Sequence, residues 1–262
     1  MRIVSYNINL CNQSKIDHVL STGADLYILP ECAGRDYIGL PEGYDMLWTG
    51  DADVPQKGLA VIWKTHLKVR VPEEYRKIKH MLPLCVDGDG FPKFILASWP
   101  TVWKEKKTYP QLLLEALKQY DFYLDRFPSI VVGDFNCYLG QSGVNKSTGT
   151  FSDCLNEFEK HGMRSMYHEM TCEAFSKETT PTFYWRFKEE SPFHIDYAFS
   201  CIEPKRFEIG PWEREISDHR PLIIELETEP YDGGHKNESK SGQEINPTTY
   251  NLHLLKLPLT MK

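Results

Sequence analysis

The stretch that decides the fold is SIVVGDFNC, Ser129 to Cys137. Its first half, Ser129-Ile130-Val131-Val132, is a β-branched run of the kind that forms a buried strand. The run then ends on an acid and an amide. Asp134 and Asn136 alternate around Phe135, so on an extended backbone they point to one side while Phe135 points to the core. Gly, Asp and Asn are also ordinary turn residues after a strand, and Gly133 would allow the turn. At this point a turn and a strand-end catalytic pair are both open.

The chain has 262 residues, 41% hydrophobic and 26% charged, which suits one globular domain, or at most two, with a sizeable core. A formal net charge of -7 argues against a strongly basic nucleic-acid binder. It leaves room for a nuclease that meets phosphate through a bound metal, because the ion brings its own charge. The seven cysteines are odd in number and form no C-x-x-C pair, so neither a zinc site nor a disulfide framework is expected. Reduced thiols fit a cytoplasmic location. MRIVSYNINL runs straight into a strand-like pattern without a signal peptide's charged start and apolar core. No apolar run approaches the ~20 residues of a membrane span. The expectation is a soluble, cytoplasmic protein with no membrane span; no oligomeric state is read from the sequence.

Strands are expected over 2–6, 25–29, 44–48, 59–63, 94–98, 129–132, 182–185, 195–200 and 221–226. Ser14 is expected to cap a short helix bearing Ile16, Val19 and Leu20. Residues 111–127 carry Leu113, Ala116, Leu117, Tyr120 and Leu124 at helical spacing, with Pro110 near the start. Residues 151–161 carry Phe151, Leu155 and Phe158, with Gly162 as a stop. Strands in the majority with helices between them predict a layered α+β domain. After Leu226 the composition turns polar over 231–246 and apolar again over 251–259. This divides the chain into a domain over 1–228 and a polar linker with a C-terminal tail over 229–262.

Polar residues gather where these strands begin or end: Asn7, Glu31, Asp134, Asn136, Asp196, Asp218 and His219. Turn chemistry alone does not account for the whole set. Carboxylates brought together repel unless a cation or a proton lies between them. Asn, Asp and Glu oxygens are hard ligands that suit Mg²⁺ or Mn²⁺. A histidine beside an acid titrates near neutrality.

RIVSYNIN, YILPE, KGLAVIW, VVGDFN, FHIDYAFS and ISDHRPL, in that order and spacing, resemble the endonuclease/exonuclease/phosphatase superfamily of deoxyribonuclease and exonuclease III type. PTFYW with HIDYAFS and SDHRPL looks most like its bacterial members. The resemblance runs from Arg2 to about Leu226. It implies a four-layer α/β/β/α sandwich, with two mixed β-sheets face to face and helices outside. It implies a Mg²⁺ (or Mn²⁺) site at Glu31, with Asn7 and Asp218 beside the ion. It also implies Asp134 orienting or deprotonating the attacking water, Asn136 binding phosphate, and His219 acting on phosphate with Asp196 as its partner acid. The implied activity is a metal-dependent phosphodiesterase, first a DNA nuclease. The alternative is a phosphatase or phosphodiesterase on a small-molecule, nucleotide or lipid-headgroup phosphate. A catalytically silent binding module is third, and the retained acids and His219 argue against it.

Two departures stand out. Pro30 replaces the glutamine that many members carry before the metal glutamate. The strand over 94–98 ends on Ser98-Trp99-Pro100, where relatives place a catalytic His or Tyr; that auxiliary role is either lost or passes to Trp99 as a stacking surface. Trp99 to Pro110, WPTVWKEKKTYP, interleaves aromatics with lysines, which fits either a nucleic-acid edge or a solvated loop. Tyr184 and Trp185 lie where relatives carry aromatics beside the phosphate, and alternation would turn one of them to the core. His168, His194, Cys32 and Cys137 are expected to be structural.

Overall fold

The structure, a computed structural model, describes residues 1–73, 75, 78–87, 93–141 and 149–227. The tail expected over 229–262 lies outside the described residues. One sheet orders its six strands β13 (Arg206–Ile209), β14 (Leu222–Glu225), β1 (Arg2–Ser5), β2 (Leu26–Cys32), β4 (Gly58–Lys64) and β3 (Tyr44–Gly50). The other orders its six β5 (Lys68–Arg70), β6 (Met81–Asp87), β7 (Lys93–Ser98), β8 (Ser129–Asp134), β12 (Asp196–Ser200) and β9 (Arg164–Ser165). Each sheet has one parallel pair, β1 with β2 and β7 with β8, among antiparallel neighbours, so both are mixed. A two-stranded ribbon joins β10 (Phe183–Tyr184) to β11 (Pro192–Phe193).

Three apolar layers hold the fold. Ile28, Val61 and Ile224 of the first sheet share a buried core with Leu84, Ile95 and Val132 of the second. Near-continuous Val, Ile and Leu in these strands is what burial on both faces requires. On the outer face of the second sheet, Phe94, Leu96 and Val131 pack with Leu113 and Leu117 of α2 (Tyr109–Gln119), Leu124 of α3 (Asp121–Arg126) and Phe158 of α4 (Phe151–Lys160). On the outer face of the first, Tyr27, Leu29 and Ile62 pack with Ile16, Val19 and Leu20 of α1 (Gln13–Ser21). A short α5 (Met166–Thr171) packs on β12. The result is the expected α+β sandwich. No helix among the described residues is long and apolar enough to cross a membrane.

Local chemistry corrects the expectation in several places. The cap of α1 is Asn12, whose side chain accepts from Lys15 N; Ser14 only donates to Asn12 Oδ1 at 2.8 Å. The helix expected over 111–127 breaks at Tyr120 (φ −106, ψ 16), giving α2 and α3. That break keeps both Tyr120 and Leu124 buried on the sheet, Tyr120 with its ring 5.8 Å from Phe94. The strand expected over 182–185 is shorter. Trp185 opens a turn in which Arg186 and Phe187 take left-handed φ of 54 and 58. Strands β5, β6, β9, β11 and β13 fall outside the expected ranges. β6 hides behind Pro83, which sits mid-strand opposite Leu96.

Gly133 does not make a turn. It lies inside β8 with φ 150, and a Cβ there would stand 1.9 Å from the Ser98 carbonyl oxygen. Glycine lets β8 close against β7 at the point where β8 delivers Asp134. Gly133→Ala is expected to destabilise the fold by about 3 kcal/mol or more. Gly140→Ala, at φ 86 with nothing within 4 Å, is expected to cost about 1 kcal/mol. Urea unfolding of the two variants checks the contrast.

Candidate active site

The strand ends converge on one buried cluster. Asp134, the last residue of β8, lies directly opposite Asp196, the first of β12, in the antiparallel ladder. Both are almost fully buried. Two like charges facing across a ladder repel. His219 resolves the conflict: its Nδ1 lies 2.9 Å from Asp196 Oδ2, and its Nε2 3.9 Å from Asp134 Oδ2. The ligating atoms of Asp134, Asp196 and His219 all lie within 4.8 Å of one another.

Each member is held from several sides. Asp134 Oδ2 accepts from Asn7 Nδ2 at 2.9 Å and from Asn136 Nδ2 at 3.2 Å, and its Oδ1 accepts from the Asn136 backbone at 2.9 Å. That last bond closes an Asx turn, with Asn136 at φ 53. The turn and the facing acid and amide are thus one arrangement: the turn bends the Asn136 amide back toward the Asp134 carboxylate. Phe135 is fully buried between Tyr197, Phe199 and Phe158. Asp196 N and Ile195 N both donate to Thr182 Oγ1 at 3.0 Å. His219 N donates to Ser217 Oγ, which itself donates to Asn7 O at 2.6 Å. The His219 ring packs on Phe183 at 4.5 Å.

Burial, and then the field of Asp196, push the Asp134 carboxyl up to about 7. Burial works against a charged His219, but the carboxylates of Asp196 and Asp134 outweigh it and raise the imidazole to about 9. The cluster therefore keeps an imidazolium beside an acid poised near neutrality.

The other expected residues sit nearby in different company. Asp218 Oδ1 accepts from Asn9 Nδ2 at 2.6 Å. Glu31 occupies a bulge between Pro30 and Cys32 of β2, at φ 60, where Pro30 removes one backbone donor. Its carboxylate pairs with Lys57 Nζ at 3.0 Å and is not in the three-residue cluster. Glu31 and Asn136 both face a cavity of about 570 Å³. Trp99 lines the same cavity but is 3% exposed, with its ring stacked on His80 at 4.7 Å. Neither Tyr184 nor Trp185 enters the core: Tyr184 stacks on Trp212 at 3.9 Å, and Trp185 is 51% exposed. His168 bonds to Ser165 and Glu178, and His194 to the Thr180 carbonyl, so both hold local structure. Cys32 and Cys137 are buried.

Sequence reasoning missed Asn9, Thr182, Ser217 and Lys57. Asn9 and Ser217 stand in the family-like motifs beside chosen residues, and Lys57 opens KGLAVIW; what they hold became visible only in three dimensions.

No protein-family model matches the sequence, and no curated protein matches it. Solved structures do. The chain is similar to the AP endonuclease LMAP of Leishmania major, at 12% identity and a TM-score of 0.64, covering 85% of this chain and 86% of that one. It is similar to truncated TDP2 of Caenorhabditis elegans, at 14% identity and a TM-score of 0.58, over 85% and 96% of the two chains. It is also similar to an endonuclease/exonuclease/phosphatase family protein of Bacteroides thetaiotaomicron, at 16% identity and a TM-score of 0.51, over 86% and 96%.

Stability should report the cluster directly. Native His219 keeps a proton that the unfolded chain releases above its ordinary value of 6.5. Its contribution is complete below that pH and is lost as pH rises through about 9. In EDTA, stability is expected to fall by on the order of 3 kcal/mol across this window. His219→Gln should flatten that slope in denaturant titrations at several pH values.

Proposed function

We propose that this chain, which has the fold of the endonuclease/exonuclease/phosphatase superfamily, is a divalent-metal-dependent phosphodiesterase. It hydrolyses phosphodiester bonds by in-line attack of water, with DNA as the first substrate. The observation that carries this reading is the buried Asp134–Asp196–His219 cluster at the ends of paired strands. A buried acid pair sharing one imidazolium is costly to fold, and ionisable groups perturbed in this way cluster at functional sites.

In this reading Asp134 orients the attacking water and takes its proton, a task suited to an acid raised to about 7. Asp196 orients the His219 ring and stabilises its protonated form by accepting from Nδ1–H, leaving Nε2–H to donate to a phosphate oxygen as negative charge develops. Asn7 and Asn136 hold the Asp134 carboxylate in register by donating to it. The strained backbone at Asn9, Glu31 and Asn136, with φ of 44, 60 and 53, fits side chains held in place for chemistry.

The donors implied for a metal fit a hard divalent cation. Glu31, Asp218 and Asn7 offer only oxygen, and the Glu31 carboxylate already meets a cation in the Lys57 ammonium. When bound there, Mg²⁺ or Mn²⁺ supplies positive charge to the phosphate oxygens.

Single- and double-stranded DNA, abasic DNA, RNA, inositol phosphates and phospholipids, each assayed with and without EDTA, test the reading. Hydrolysis of a phosphodiester that stops in EDTA is expected. Asp134→Asn and His219→Ala should each lower kcat about a thousandfold, read on protein that circular dichroism shows to be folded. A variant that keeps full rate contradicts the role assigned to its residue. The wild-type kcat/KM should fall on the acid side as Asp134 gains a proton and on the alkaline side as His219 loses one, and Asp134→Asn should remove the acid limb.

A further inference from the structure

The loop WPTVWKEKKTYP folds into a wall of the cavity beside Asn136. Trp99, Val102, Trp103 and Tyr109 supply its apolar face, and Glu31 and Asn136 its inner edge. The rings differ in availability. Trp99 is buried against His80, with Lys57 Nζ 5.7 Å from its centroid. Trp103 is 51% exposed, although tryptophan carries more apolar surface than any other side chain. Lys104 Nζ lies 4.4 Å and Lys79 Nζ 5.6 Å from its centroid. A half-exposed ring on the wall of a cavity lined also by Glu31 and Asn136 is a feature to be explained by a ligand.

The charges around it narrow the ligand. Lys57 pairs with Glu31, Lys79 with Asp51 at 3.2 Å, and Lys104 with Asp53 at 3.0 Å. Lys57, the lysine in the cavity lining, is thus matched by Glu31, and Lys79 and Lys104 beside Trp103 are matched as well, so the lining itself has no surplus positive charge with which to hold a second phosphate. A polyphosphorylated headgroup finds no counter-charge there. A flat, uncharged ring finds aromatic faces, polar edges and about 570 Å³, which is room for a base with part of its sugar.

We propose that this cavity takes one unstacked nucleobase next to the scissile phosphate, and that the substrate is single-stranded nucleic acid. This rests on the phosphodiesterase reading and names the substrate of the same site. Trp103 and Tyr109 stack on the base, while the phosphate on its strand reaches Asn136 and His219. A base paired in a duplex must first be unpaired and unstacked to enter, so a single strand binds more tightly than the same sequence in a duplex.

The test is binding without turnover. Fluorescein-labelled oligothymidylate is titrated by anisotropy in EDTA with the wild type, Trp103→Ala and Tyr109→Phe. Its duplex with oligoadenylate is titrated in parallel, with inositol hexakisphosphate as competitor. The single strand is expected to bind more tightly than the duplex. Trp103→Ala should weaken single-strand binding about tenfold and duplex binding less than twofold. Tyr109→Phe, which keeps the ring, should bind as the wild type does. Equal weakening on strand and duplex, no effect of Trp103→Ala, or displacement of the strand by inositol hexakisphosphate overturns the proposal. Trp103 is half exposed, so its removal leaves the fold intact, which a thermal melt checks. Hydrolysis of bis(p-nitrophenyl) phosphate by the wild type with Mg²⁺ is measured separately. Its failure would count against the phosphodiesterase reading and leave the base pocket standing, whereas hydrolysis without Trp103-dependent strand preference removes the pocket alone.

Discussion

Two buried carboxylates face each other across one antiparallel ladder, and the structure around them serves to make that tolerable. Asp134 and Asp196 are register partners on β8 and β12. An uncompensated pair of this kind costs several kcal/mol. His219 supplies the compensating charge, and it comes from a segment distant in sequence. Asn7 at the end of β1 donates to Asp134, and Ser217 ties the His219 segment back to the Asn7 carbonyl. The two sheets are therefore joined at this end by polar bonds as well as by their shared apolar core.

The apolar layers and the polar cluster depend on each other through single residues. Phe135 anchors GDFNC in the outer core, and its two neighbours are thereby turned toward the site. Gly133 lets β8 approach β7 closely, and Asn136, just past the strand end, donates to the Pro100 carbonyl and lines the cavity. Trp99, whose backbone continues the β6–β7 pairing by donating to the His80 carbonyl, carries that wall on toward Trp103. The same strand ends that build the cluster thus build the cavity next to it.

Much of this was legible in the sequence because it is local. Strands β1, β2, β4, β7, β8 and β14 announce themselves as apolar runs, and polar residues stand at several of their ends. Phe135 follows from alternation alone. The rest depends on contacts that no local pattern carries. Asn7 meets Asp134 across 127 positions, and Ser217 meets the Asn7 carbonyl across 210. Gly133 reads as a turn residue until the neighbouring strand is seen to leave no room for a Cβ. Pro83 conceals β6, and Tyr120 breaks a helix whose periodicity continues through it. Tyr184 and Trp185 escape the alternation rule because the strand stops between them.

The central claim is that the cluster keeps His219 charged between two acids at neutral pH. Nitrogen-15 NMR of the histidine rings, recorded in EDTA with His219 assigned by substitution, measures this directly. Protonation of both ring nitrogens at pH 7.5, persisting until about pH 9, is the result predicted. A neutral imidazole at pH 7.5, titrating near its ordinary value of 6.5, would contradict it.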